Sequence, residues 1–455
     1  MFVQRGSSRS RVAIAGALSM GLVFGLSACG DSKDEEPGTG ATSLAAIDCT
    51  PYKAFGDLTG KEVSIYTGIV TPEDTPHKES YKPFEQCTGV TVKYEGDKAF
   101  ETQILVRAEA NNAPDVAFVP QPGLLQRLVQ TGKVKEAPAE VAANVDKFWG
   151  ADWKEYGSVG GKFYAAPLGA SVKSLVWFSP KEFKDSGYAE PKTLADLKAL
   201  TDKMVADGKK PWCAGINSGE ATGWPLTDWM EDFMLRLSGP ETYDKWLKHE
   251  IPFNGPEATK ALDAVGEYLK NDKYVNGGYG DVKSIASTTF QDGGLPILEG
   301  QCSLHRQASF YAANFPKTAK VGPDGDVFAF YLPGETADSA PVLGGGEFVA
   351  AFADRPEVKA FQTYLSSDTW ANVKAKVSAG WVTANKGLDP ANLQNPVDKL
   401  SAEILLNPKA TFRFDASDLM PAAVGQNTFW KQTTAWLTGQ DTKTTLDKIE
   451  ASWPK

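Results

Sequence analysis

Three short apolar segments, each separated from the next by room for one helix, most limit what this chain can fold into. Lys61-Glu62-Val63-Ser64-Ile65-Tyr66 alternates as a strand does, and Val90-Thr91-Val92-Lys93-Tyr94 repeats the pattern. A helix ending before Cys87-Thr88-Gly89 fits between them. Phe100, Ile104, Leu105 and Ala108 then share one helical face over 99–110. Ala113-Pro114-Asp115 turns into the buried run Val116-Ala117-Phe118-Val119. Strand, helix, strand, helix, strand at this pitch predicts a parallel sheet covered by helices.

A second series begins after Gly160. Ser174-Leu175-Val176-Trp177-Phe178 reads as another buried strand. Thr193 is placed to cap a helix with Asp196 three residues on, Leu194, Leu197, Leu200 and Met204 lie along one side, and Gly208 stops it. Pro256 opens a further helix with Leu262, Val265 and Leu269 facing inward. A glycine run (Gly344-Gly345-Gly346), a helix from about Pro356 to Leu365 and a helical, tryptophan-rich C-terminus follow. The pattern predicts two α/β lobes with chain crossings between them.

The N-terminus gives the address. Arg5, Arg9 and Arg11 precede an apolar run, Val12 to Leu26, that is short and glycine-bearing for a membrane span. Leu26-Ser27-Ala28-Cys29 follows and matches a lipobox, so residues 1–28 read as a lipoprotein leader with Cys29 as the lipidated first residue. An ordinary leader cut elsewhere is the alternative. Residues 29–47, small, acidic and glycine-bearing, read as a flexible tether. The expected location is the outer face of the cytoplasmic membrane.

Losing the leader's three arginines makes the domain three charges more negative than the −10 of the whole chain. An acidic surface without a long basic run argues against nucleic acid as a partner and against direct attraction to anionic lipid. Besides Cys29 the cysteines are Cys49, Cys87, Cys213 and Cys302. An even number in an exported chain predicts two disulfides; of the three possible pairings, Cys49–Cys87 with Cys213–Cys302 is favoured. No two cysteines have the close spacing of a zinc pair, so no metal is expected.

Twelve tryptophans exceed what a core of this size needs. Trp224-Pro225-Leu226-Thr227-Asp228-Trp229, Gly380-Trp381 and Phe429-Trp430 stand in turn-like, polar company. An indole face with a nearby carboxylate suits a sugar ring, whose apolar face stacks while its hydroxyls seek acceptors. A buried tryptophan bonded to a backbone carbonyl is the competing reading. Glu95-Gly96-Asp97 ends a strand, and Asp415-Ala416-Ser417-Asp418 follows Arg413. Acids at strand ends of an open α/β sheet point into the ligand crevice. The three histidines stand in unrelated contexts, which supports neither a serine triad nor a histidine metal site. The glycine run lacks the Gly-Lys-Ser/Thr end of a phosphate loop and is expected to allow close backbone approach instead.

Four segments carry a resemblance: Ala113 to Gly123, Gly223-Trp224-Pro225-Leu226-Thr227-Asp228-Trp229, Cys302 to Phe310, and Phe414-Asp415-Ala416-Ser417-Asp418-Leu419-Met420-Pro421. Through them the chain resembles extracellular solute-binding proteins of carbohydrate ABC transporters, of the maltose-binding type, and within these the actinobacterial α-glucoside-binding lipoproteins. The resemblance implies an α/β, two-lobe, periplasmic-binding-protein-like fold of type II, with a multi-segment hinge and the ligand cleft between the lobes. The expected boundaries are 48–168 and 327–366 for lobe 1, with 169–326 and 367–455 for lobe 2.

It also implies ligand contacts near Tyr66, Glu95, Asp97 and Gln121 in lobe 1, and Lys173 at the cleft edge. Arg306 would line lobe 2, Gly346 and Glu347 would form a ligand-facing turn, and Trp381 would lie over the sugar. Trp430 would stack, and Trp224, Asp228, Asp415 and Asp418 complete the set. The function implied is capture of an α-linked disaccharide or oligosaccharide by a monomer, and delivery to ABC permease subunits, without catalysis or cofactor. A lipid-anchored glycoside hydrolase is the alternative, and a scaffold without a small-molecule site is a third.

Overall fold

The computed structural model describes residues 47–378, 380–407 and 409–454. The expected leader, Cys29 and all but the last tether residue lie outside them. In the first half, five strands stand in the order Thr91–Gly96, Glu62–Thr67, Val116–Val119, Phe348–Ala351, Ala165–Pro167. The first three are parallel, as the spacing of their helices predicts, and the last two add antiparallel. Because alternate strand residues point to opposite faces, this sheet feeds two cores. Val63, Ile65, Val116, Phe118 and Val349 enter one, with Phe84 and Phe361 from covering helices. Tyr66, Ala117, Val119 and Phe348 enter the other, with Ile104 and Leu125.

The second half is built on Phe328–Tyr331, Leu175–Phe178 and Leu304–Arg306, paired antiparallel. Beside it, Ala340–Gly345 pairs in parallel with Ala410–Phe414 and antiparallel with Ser171–Val172. Val176 and Phe178 face the larger core, and Leu175 and Trp177 the smaller one. Local signals hold here: the Thr193 hydroxyl accepts the Asp196 N–H at 3.1 Å, opening the helix Leu194–Ala206. Cys49–Cys87 and Cys213–Cys302 are both bonded, with Cα separations of 5.4 and 5.7 Å.

Two expected boundaries shift. Phe328–Tyr331 and Ala340–Gly345 pair with second-half strands, so the chain returns to the first half between Gly345 and Phe348 rather than at 327. Helices Pro356–Leu365 and Asp368–Val377 pack Phe361, Tyr364 and Trp370 into a first-half core, carrying that half beyond 366. Partners of these apolar segments lie far away in the chain, and no local pattern selects between them.

The halves are joined by three passages: Pro167 to Ser171, Gly345 to Phe348, and Leu393 to Val397. The first two are glycine-bearing because they touch. A Cβ on Gly346 would stand 2.2 Å from the Gly169 carbonyl oxygen, and one on Gly169 would stand 2.5 Å from Trp381 Nε1. The glycine run thus permits close approach to a neighbouring segment.

Candidate functional site

The carboxyl ends of the parallel strands, the passages and the second half enclose a cleft whose space, counted out to solvent, is about 1400 Å³. From the first half come Thr67 to Val70, Glu73, Gln121 and Lys374, and Glu347 comes from a passage. Trp224, Phe310, Asp415, Asp418 and Trp430 face them from the second half.

The floor of the second half is a charge cluster. Helix Trp224–Ser238 places Trp224, Asp228, Asp232 and Arg236 four residues apart, on one face. Lys173 Nζ lies 3.0 Å from Asp228 Oδ1, 2.5 Å from Asp415 Oδ2 and 3.9 Å from Asp418 Oδ2. The ammonium also stands 5.6 Å from the centre of the Trp224 ring. The Asp415–Asp418 turn is clamped: Asp415 Oδ1 accepts from Ser417 Oγ at 2.7 Å and from the Asp418 N–H at 3.0 Å. Glu231 accepts the N–H groups of Ala416 and Ser417 at 2.8 and 3.1 Å.

Burial and neighbouring charge sort these groups. Burial opposes ionisation of Asp415, but the Lys173 ammonium and hydrogen bonds overcome it and hold Asp415 below the usual carboxylate range. Burial and the adjacent Asp415 push Asp418 well up, and burial raises Asp228 to about 7. Lys173, desolvated yet surrounded by acids, is pushed up. On the opposite wall burial raises Glu73 to about 7 and lowers Lys374 to about 7. Glu73 accepts from Asn314 Nδ2 at 3.2 Å, a bond between the halves.

Among the described residues, four buried polar atoms of the cleft have no partner: Trp381 Nε1, Trp430 Nε1, Gln121 Oε1 and Gln291 Oε1. A buried polar atom left unpaired costs about 1–3 kcal/mol. These two donors and two acceptors are therefore poised for a ligand that carries both kinds of group. Three indoles and a protonation-prone Asp418 complete a surface suited to stacking and hydroxyl recognition.

Of the residues expected at the site, Gln121, Lys173, Trp224, Gly346, Glu347, Trp381, Asp415, Asp418 and Trp430 line the cleft. Five do not. Tyr66 is buried in the first-half core, its hydroxyl donating to Asp97 at 3.1 Å with Arg107 3.8 Å over its ring. Asp97 is occupied by that bond and by accepting the Ala99 N–H. Glu95 pairs with Arg107 on the outer surface, at 2.6 Å. Asp228 and Arg306 lie beneath the floor, 3.3 Å apart and shielded from solvent. Strand alternation explains Tyr66, since the residue after it, Thr67, is the one turned to the cleft.

Sequence reasoning missed Glu73, Glu101, His77, Lys374, Phe290 and Phe310. Phe310 closes one of the four segments of resemblance and was within reach. Lys374 reads as an ordinary basic residue in the last turn of a helix, yet it is buried. The cluster read as turn-like, Trp224-Pro225, is instead the start of a fifteen-residue helix, where proline is tolerated in the first turn.

Residues 60–372 match the family described as bacterial extracellular solute-binding protein. Over 419 residues the chain is 38% identical to the alpha-glucosides-binding periplasmic protein AglE of Rhizobium meliloti (strain 1021), covering 88% of this chain and 89% of that one. Identity is also 38% over 420 residues to the osmoprotective compounds-binding protein GgtB of Synechocystis sp., covering 90% and 97%. Among solved structures, the bacterial solute receptor AcbH, described as preferring β-D-galactopyranose, shares the fold with a TM-score of 0.73 at 19% identity, over 86% of this chain and 98% of that one.

Proposed function

The chain belongs to the bacterial extracellular solute-binding proteins, and on that premise we propose that its cleft captures an α-linked glucoside, a disaccharide or short oligosaccharide. As a class it is a sugar-binding component of an ABC transporter, periplasmic or extracellular, with two lobes about a hinge. Its relatives and fold are those of binding proteins and not of enzymes, which sets the glycoside hydrolase alternative aside. The placement of Asp228 agrees: one of the two carboxylates a hydrolase would need is sealed beneath the floor.

The observation that carries the choice of ligand is the convergence of Trp224, Trp381 and Trp430 on a cleft with unpaired buried donors and acceptors. A neutral, polyhydroxylated ring satisfies both features. An anion gains little, because the Lys173 charge is already engaged by three carboxylates. The α-glucoside class is supported by the 38% identity to AglE. Capture works by differential contact: sugar bridging both lobes favours the closed arrangement over the open one. Delivery is to membrane permease subunits, the protein acts as a monomer, and Cys29 carries the lipid that keeps it at the membrane.

A thermal-shift screen of the unlipidated protein against mono- and disaccharides tests this reading. A ligand bound only by the folded state adds about 2.7 kcal/mol at a hundredfold excess over Kd. A rise with an α-linked disaccharide that is recovered intact is expected. A protein indifferent to every sugar, or one that releases glucose, would overturn it.

A further inference from the structure

Beneath the cleft, Asp228, Arg306, Asp232 and Arg236 form a chain of charged side chains that meets the ligand space only through Lys173. Asp228 bridges two cations, with Oδ1 3.0 Å from Lys173 Nζ and Oδ2 3.3 Å from Arg306 Nη1. Arg306 Nε in turn donates to Asp232 Oδ2 at 3.1 Å. Asp232 also accepts from Ser174 Oγ at 2.6 Å, and Ser174 Oγ accepts the Leu343 N–H at 2.8 Å. The residue next to Lys173 is therefore tied, through Asp232 and Arg306, to the Asp228 carboxylate that holds its ammonium. Arg236 closes the chain on the carbonyls of Pro333 and Leu332, at 2.9 and 2.7 Å. Asp228, Asp232, Arg306 and Ser174 are all buried.

Resting on the sugar-binding reading, we propose that Asp228 and Arg306 are positioning residues: from one layer below the floor they set the Lys173 ammonium where it orients the Asp415 and Asp418 carboxyls toward a sugar's hydroxyls. A burial this complete is costly for charges unless the geometry repays it. The four-residue repeat along helix Trp224–Ser238 supplies that geometry, leading from Trp224 in the cleft to Arg236 in the interior. Asp418 then feels Lys173 from the segment after the first passage, Asp415 from its own turn, and Asp228 from the helix; Glu231, on the same helix, faces Asp415 and Asp228. Arg306 acts from its strand through Asp228, and Glu101 faces Asp418 from the first half. Removing the Asp228 charge frees Lys173 to serve Asp418, which then ionises more readily; removing the Arg306 charge does the opposite.

The test is carboxyl carbon NMR of ligand-free protein labelled at aspartate, with the Asp418 signal assigned by its loss in Asp418→Asn. Asp228→Asn is expected to lower the Asp418 midpoint by about one pH unit, and Arg306→Gln to raise it. Calorimetric titration with the sugar found by screening is expected to show roughly tenfold weaker binding for Asp228→Asn at neutral pH, with the pH dependence of affinity displaced in the same direction. An Asp418 midpoint unmoved in both variants overturns the proposal, even if their affinity falls. If Asp228→Asn fails to fold, an Arg306→Gln midpoint that stays put overturns it alone. Opposite shifts in a protein that binds no sugar would uphold the charge linkage while removing the sugar-binding reading.

Discussion

Lys173 Nζ stands 2.5 Å from Asp415 Oδ2, although the two residues are 242 positions apart in the chain. The pair joins the segment that leaves the first passage to the turn that follows the last second-half strand, at the floor of the cleft. The same ammonium serves Asp228 and approaches Asp418. One side chain thus holds together the helix, the turn and the passage that shape the second-half wall.

Lys173→Met is expected to destabilise the protein by about 3 kcal/mol, because it leaves buried carboxylates without their cation. Urea unfolding reads this directly, and the sugar affinity falls with it. Lys93→Met provides the contrast: its pair with Glu62 at 3.3 Å is solvent-exposed on both sides, so its unfolding midpoint stays at the native value. Equal midpoints for the two variants would contradict the role given to Lys173.

Trp430→Ala and Trp224→Ala are each expected to weaken sugar binding by about 2 kcal/mol, through loss of a desolvated stacking face. They separate in stability. Trp430 is buried, so its loss also opens a cavity; Trp224 is half-buried between Phe290 and Phe310, and its variant unfolds close to the native midpoint. Titration calorimetry together with urea melts distinguishes the two. Native affinity in both variants would move the site away from these indoles.

How far the site could be read from the chain depended on the kind of signal. Trp224, Trp381, Trp430 and Asp418 stand out because large indoles and acids in polar company are poor core material. Tyr66 is one step of strand alternation from the cleft-lining Thr67, since a one-residue shift reverses the face presented, and Glu95 is instead taken up by Arg107. Asp228 was legible as important but not as buried, because the helix that hides it begins in a segment that looks like a turn. The parallel sheet was readable from local periodicity, whereas the passages between lobes rest on pairings such as Phe330 with Val176, which no local pattern encodes.

Gly346→Ala is expected to lower both stability and affinity, since the new methyl group would meet the Gly169 carbonyl oxygen at 2.2 Å. Relief requires parting two of the three segments that join the lobes. Gly132→Ala, whose Cβ meets nothing within 4 Å, shows only the cost of its left-handed backbone and leaves affinity intact. A Gly346→Ala protein with native affinity would show that the passages tolerate separation.

Acid should destabilise the second lobe through His305. Burial lowers this imidazole from its ordinary 6.5 to about 4, while Nδ1 lies 2.9 Å from the Cys213 carbonyl oxygen. The unfolded chain takes up this proton below pH 6.5 and the folded protein only near pH 4, so stability present above 6.5 is lost as pH falls between those values. The loss from this residue amounts to about 3 kcal/mol. His77, also lowered by burial, acts in the same direction. His305→Gln is expected to unfold less steeply with acid than the native protein in urea melts at pH 7 and pH 4.5. An identical fall in both would remove His305 from the account.

A crystal structure with an α-linked disaccharide decides whether this cleft is the sugar site. Intact sugar is expected in the cleft, its rings against Trp224 or Trp430, its hydroxyls at Asp418 and at one or more of Gln121, Gln291 and Trp381, and Asp228 without a direct contact. Sugar bound elsewhere, or a cleft that excludes it while another solute class binds there, would contradict that expectation.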